Sequence, residues 1–143
     1  MKKKVLFFLK PQKGNSIGQW LIEQGISAGF PSPADDFKET RISLDKELVK
    51  NQESTFYARV SGDSMIDAGL EDGDLLVIDR SLHPENGKIA ICFIDGEFTV
   101  KRIMKKNKKL ILKPENKNYK QIEVKEENDL IIWGIVEYVI KKV

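Results

Sequence analysis

The chain has 143 residues, 41% of them apolar, which suits one globular domain with a real core and excludes a two-domain enzyme. Lys and Arg number 24 against 22 Asp and Glu, so the net charge of +2 gives no field strong enough to make nucleic acid an obligatory partner. The single cysteine, Cys92, cannot form an internal disulfide, and its place in the apolar run "KIAICFI" marks a small core residue in a reducing compartment.

In chain order, the opening "MKKKVLFFLK" has an apolar run from Val5 to Leu9 that is too short for the core of a signal peptide. No stretch reaches the ~20 apolar residues of a spanning helix, so the expectation is a soluble, cytoplasmic protein without a membrane partner. In "GNSIGQWLIEQGI", Ile17, Trp20, Leu21 and Gln24 fit one face of a short helix, and in "SAGFPSPADDF" Gly29, Pro31 and Pro33 deny regular structure. Residues 1–50 therefore read as an arm and linker of weak local structure. They leave no room before Pro31 for the three compact helices of a helix-turn-helix reader.

From Ser54 onward the texture is β. "TFYARV" alternates, "DLLVID" is a short apolar run between turns, and "KIAICFI" and "EFTVKRI" flank Asp95-Gly96, the two-residue signal of a tight hairpin. "KKLILKP" and the short "KQIEV" follow, and "DLIIWGIVEYVI" closes the chain with Gly134 at the expected bulge. The fold class predicted is mainly β, with seven to nine short strands in compact, strongly bent antiparallel sheets preceded by a mobile N-terminal arm. Between Lys101 and Lys125 ten basic residues face two acids, Glu115 and Glu123. That run is either a solvated hairpin edge protected by lysines or a surface that contacts DNA or a partner.

Chemistry centres on "VSGDSMIDAGLEDGDLLVIDR", Val60 to Arg80. Turn serines commonly bond nearby backbone, so local chemistry alone leaves Ser64 a structural residue. As a nucleophile it needs a base. The one histidine, His83, sits in the turn-like "SLHPENG" and is a poor candidate. Lys101, inside "GEFTVKRIM", shares a strand face with Thr99 and Ile103 by alternation, a place where an amine is held from water, unless that face is the outer one of an edge strand. Asp63, Asp67, Asp72, Asp74 and Asp79 do not match the spacing of a calcium loop and read as turn formers, so no metal or other cofactor is expected.

Three features agree in order: "SGDSM", then "EFTVK" with Lys101 37 residues beyond Ser64, and an upstream Ala28-Gly29 bond in "AGFPSP". Together they resemble the UmuD branch of the LexA/UmuD self-cleaving proteins, the S24 serine peptidases, from about Gly29 to the C-terminus. The resemblance implies Ser64 as nucleophile, Lys101 as general base and Ala28-Gly29 as the bond cut. Backbone N–H groups at Ser64 and Met65, within the Asp63–Met65 turn, would serve as oxyanion donors. Ala28 stands where the best-known UmuD proteins carry cysteine, a change between small side chains. The implied organisation is a removable arm over 1–28, an extended linker over 29–50 and a β-rich peptidase and dimerisation domain over 51–143.

The same resemblance implies a homodimer stimulated by the RecA filament on single-stranded DNA, whose shortened form joins a UmuC-type Y-family polymerase in SOS mutagenesis. Cleavage within a chain and across a dimer are both open. An alternative from another class is a non-catalytic adaptor or repressor antagonist that uses the domain only for dimerisation and partner binding. A signal peptidase shares Ser/Lys chemistry but acts at a membrane.

Overall fold

The computed structural model describes residues 8–9, 11, 19–22, 28 and 39–143. The chain divides into two compact units, residues 12–50 and residues 1–11 with 51–143. Strand β1 (Phe8–Leu9) opens the chain, and the 12–50 unit contains β2 (Gln19–Ile22), β3 (Glu39–Ile42) and the one-turn helix α1 (Leu44–Leu48). There β2 and β3 pair antiparallel, with Trp20 opposite Arg41 and Leu21 opposite Thr40. The helical face anticipated through Trp20 and Leu21 is therefore a strand, while Ile17 and Gln24 lie outside the described residues. Three consecutive large apolar residues carry no decisive period, and pairing with β3 settles the choice toward extended backbone.

The second unit is built on β4 (Thr55–Arg59), β5 (Leu75–Asp79), β6 (Ile89–Ile94), β7 (Glu97–Lys106), β8 (Lys109–Lys113), β9 (Ile122–Val124) and β10 (Leu130–Ile140). With β1 they form one eight-stranded antiparallel sheet in the order β1-β4-β5-β10-β6-β7-β8-β9. The mainly β, antiparallel expectation is met. Asp95 (φ 48°) and Gly96 (φ 84°) make the β6–β7 hairpin turn, and Asn107 (φ 52°) and Lys108 (φ 62°) make the β7–β8 turn. Both pairs have the two positive φ values of a type I′ turn, whose twist matches its strands.

Alternation sorts the core onto the two sheet faces. Ile91 and Val100 join Ala58, Val60, Met65, Leu70, Leu76 and Ile78 in one cluster, whereas Ala90, Cys92 and Ile103 join Leu112 and Ile135 in the other. Cys92 is fully buried, as its apolar surroundings suggest, and desolvation pushes its thiol up to about 11 although the nearby Lys101 charge opposes the rise. Strand β10 is central, and its register slips between Ile132 and Gly134 and again between Val136 and Tyr138. The predicted bulge at Gly134 is therefore present.

The lysine-rich run separates into unlike parts. Lys101 is buried and Arg102 binds Glu115 at 2.6 Å, whereas Lys105, Lys106, Lys108 and Lys109 are exposed around the β7–β8 turn.

At the end of β5 the Asp79 carboxylate accepts hydrogen bonds from Asn51 Nδ2 (2.8 Å), Ser54 Oγ (2.7 Å), Ser81 N (2.8 Å) and Ser81 Oγ (2.7 Å). Burial raises its pKa, but bonds from Asn51, Ser81 and Ser54 outweigh that and hold it below the ordinary carboxylate range. A carboxyl depressed in the folded state stabilises above its unfolded pKa of about 4, and that stability is lost as pH falls through the folded value. Asp79→Ala should cost about 1–3 kcal/mol at neutral pH, because it strands several donors, and should flatten the acid limb of stability. Urea unfolding at pH 7 and pH 3.5 checks both, and equal losses at the two pH values would contradict it.

Candidate active site

Ser64 sits in the loop between β4 and the 3-10 turn Ile66–Ala68. The sequence bends sharply here because Gly62 takes φ 95° and Gly69 φ 83°, values that side-chain-bearing residues avoid. The Asp72-Gly73 turn holds the loop from below. Gly62 N donates to Asp72 Oδ1 at 2.8 Å, Gly73 N donates to Val60 O at 2.8 Å, and Val60 N donates to Asp74 O at 2.8 Å. Asp74 in turn accepts from Glu71 N at 2.9 Å and from Lys141 Nζ. The dense aspartates thus act in turns and anchors, the role read from their spacing. Met65, 2% exposed, packs into the core beneath the serine.

Lys101 comes from the middle of β7, opposite Ala90 of β6. It is 6% exposed and Ser64 is 9% exposed. The lysine Nζ lies 3.1 Å from Ser64 Oγ, 2.6 Å from Thr99 Oγ1 and 3.1 Å from Val100 O. Alternation does place Thr99 and Lys101 on one face, and the threonine hydroxyl turns out to be an acceptor for the amine. A neutral amine has two N–H groups and one lone pair. With the N–H groups on Thr99 Oγ1 and Val100 O, the lone pair is left for the Ser64 hydroxyl to donate to. Burial itself favours the neutral over the charged amine.

A small cleft, open to solvent, runs beside the pair and is lined by Val60, Ser61, Gly62, Ser64, Met65, Phe98, Thr99 and Val100. One wall is stiffened by edge-to-face contacts of Phe98 with Phe93 (4.9 Å) and Trp133 (6.2 Å). Among the described residues, neither the Ser64 nor the Met65 backbone N–H donates to another protein group. His83 is exposed in the loop after β5. Ala28 is exposed at a bend in the 12–50 unit, and Gly29 lies outside the described residues.

The loop after β8, residues 114–120, lies inside the lysine-rich run read as a hairpin edge or partner surface, yet it contacts the serine loop at several points. Asp67 N donates to Glu115 O at 2.8 Å, Asn116 Nδ2 donates to Asp63 O at 2.9 Å, and Tyr119 OH donates to Asp63 Oδ1. That bond raises the Tyr119 phenol pKa, with smaller contributions from desolvation and the Asp63 charge. Partners so far apart along the chain leave no periodic signal in the sequence.

A serine hydroxyl against a buried lysine amine, at the edge of a cleft on an antiparallel sheet, is the arrangement of peptidases that use lysine in place of histidine. The family model described as Peptidase S24-like matches residues 21–137, and the chain belongs to that family. It is 40% identical over 116 residues to Protein MucA of Salmonella typhimurium, covering 80% of this chain and 79% of that one. Identity to Protein ImpA of Escherichia coli is 39% over 132 residues, covering 92% and 90%. The LexA repressor of Clostridium perfringens matches at 40% over 101 residues, 71% of this chain but half of the repressor. The resemblance to LexA/UmuD proteins drawn from Ser64, Lys101 and their surroundings is thus upheld at the level of family.

Proposed function

We propose that this protein is a UmuD-like serine endopeptidase that cuts its own Ala28-Gly29 bond and then acts in DNA-damage-induced mutagenesis. The observation that carries the reading is the 3.1 Å contact between the Lys101 amine and the Ser64 hydroxyl in a buried setting. Neutral Lys101 takes the Ser64 proton as Oγ attacks the Ala28 carbonyl carbon. The N–H groups of Ser64 and Met65 receive the oxyanion. Collapse breaks the Ala28-Gly29 C–N bond, the lysine ammonium gives its proton to the departing Gly29 amine, and an acyl ester remains on Ser64. Water, deprotonated by Lys101, releases the Ala28 carboxylate and restores the hydroxyl.

Similarity to MucA and ImpA along most of their length supports the wider role. The chain would form a homodimer, dock on a RecA filament on single-stranded DNA, and in its shortened form serve a UmuC-type Y-family polymerase. The filament would act by favouring the state in which the cleavage segment occupies the cleft, a population shift and not new chemistry.

Incubation with RecA, ATP and single-stranded DNA should give a fragment whose amine-terminal sequence begins Gly29-Phe30, and Ser64→Ala should give none. A cut elsewhere, or one that survives Ser64→Ala, would overturn the proposal. The adaptor reading predicts no fragment from either chain.

A further inference from the structure

The Asp63 carbonyl accepts from Asn116 Nδ2 at 2.9 Å and from Ile66 N at 3.2 Å. In a planar trans peptide the carbonyl and the N–H point in opposite directions. Whatever holds the Asp63 carbonyl therefore also aims the Ser64 N–H. No residue of the 114–120 loop lines the cleft, whereas Ser64 does. The carbonyl is turned onto that loop, and the N–H of the same peptide points the other way, without a protein acceptor among the described residues.

We propose that Asn116 is a positioning residue for the reaction: by fixing the Asp63-Ser64 peptide plane, it preorganises the Ser64 N–H toward the oxyanion formed at the cleaved carbonyl. This rests on the self-cleavage reading above.

Asn116 is itself held so that the bond has one orientation. Its Oδ1 accepts from Asn118 N at 3.0 Å, which leaves the NH₂ end for Asp63, and Tyr119 N closes the turn on Asn116 O at 3.0 Å. Tyr119 OH and Glu115 O fasten the neighbouring atoms of the serine loop, so the peptide cannot rotate away as a unit. Arg102, the residue after the proposed base, binds Glu115 at 2.6 Å and Gly87 O at 2.6 Å. The strand bearing Lys101 and the loop bearing Ser64 are thereby referenced to the same 114–120 segment. An oxyanion donor that reorients only during reaction is worth far less than one already aimed.

Asn116→Asp isolates the effect. The carboxylate keeps an oxygen for Asn118 N, so the turn survives, but it offers Asp63 O no hydrogen. Asn116→Ala removes both bonds and serves as the second variant. The full chain is incubated without partners from pH 7 to 10.5, the first-order rate of appearance of the Gly29-starting fragment is followed, and thermal midpoints are recorded alongside.

Both variants are expected to be slowed about tenfold or more at every pH, with the midpoint of the pH–rate curve unmoved and the thermal midpoint of Asn116→Asp near wild type. A merely structural role would lower the thermal midpoint and leave the rate of the folded chain alone. Wild-type rates in both variants, or a loss that appears as a displaced pH midpoint, would overturn the positioning role. If wild type itself gives no such fragment while folded, the self-cleavage reading falls instead, and the two failures are separate.

Discussion

Lys101→Met is expected to slow self-cleavage by about 10²–10⁴-fold, the usual contribution of a general base, while leaving the fold as stable as wild type or more so. Lys101 is 6% exposed on a strand face it shares with the fully buried Ile103, and its amine reaches Ser64, Thr99 and Val100 O. Methionine fills nearly the same volume without a polar head to desolvate, and exchanging a buried ionisable group for a hydrophobe of its size is often neutral or stabilising. The Thr99 hydroxyl, which is only half-buried, can turn to water when the amine is gone. Lys101→Arg should be as inactive, because guanidinium does not deprotonate in the working range. Rates of fragment formation and thermal melts on the same samples read both effects. An arginine variant within tenfold of wild type would rule Lys101 out as the base.

The second large effect concerns the scaffold. Gly134 sits at the β10 bulge, and a Cβ there would lie 2.6 Å from Ile78 Cγ2 and 3.4 Å from Arg80 Cγ. Ile78 is fully buried and cannot swing aside. Gly134→Ala should therefore cost about 1–3 kcal/mol through overpacking, more than the few tenths to about 1 kcal/mol that alanine recovers by restricting the unfolded chain. Ile78→Ala alone should cost about 2–5 kcal/mol by leaving a cavity. In the double variant the new methyl enters space the isoleucine has vacated, so the total should fall short of the sum by about 1 kcal/mol or more. Urea unfolding of the four proteins measures the coupling, and strict additivity would refute the steric account.

Ser64 and Lys101 stand out as candidates because "SGDSM" and "EFTVK" carry the resemblance to the LexA/UmuD proteins, whereas local chemistry alone leaves the serine a turn residue and the face of the lysine open. Gly134 and Asp95-Gly96 were legible from local chemistry, since a bulge and a type I′ turn each demand backbone freedom that few residues supply. Trp20 and Leu21 were misread as helical because four residues cannot distinguish periods of 2 and 3.6, and the partner strand Glu39–Ile42 lies on the far side of the Pro-rich segment. The contact of Glu115, Asn116 and Tyr119 with the serine loop is hidden in the sequence for a different reason. Inside a lysine-rich run they look like solvated loop residues, and only the folded chain brings them to Asp63 and Asp67.

The most direct test of the central claim is the pH dependence of spontaneous cleavage by the wild-type chain alone. If a neutral Lys101 activates Ser64, the fragment beginning at Gly29 should form with a first-order rate that rises about tenfold per pH unit and then levels off as the amine becomes fully deprotonated. Ser64→Ala and Lys101→Arg should stay flat at background. A rate independent of pH, or one that persists in either variant, would contradict the Ser64–Lys101 mechanism.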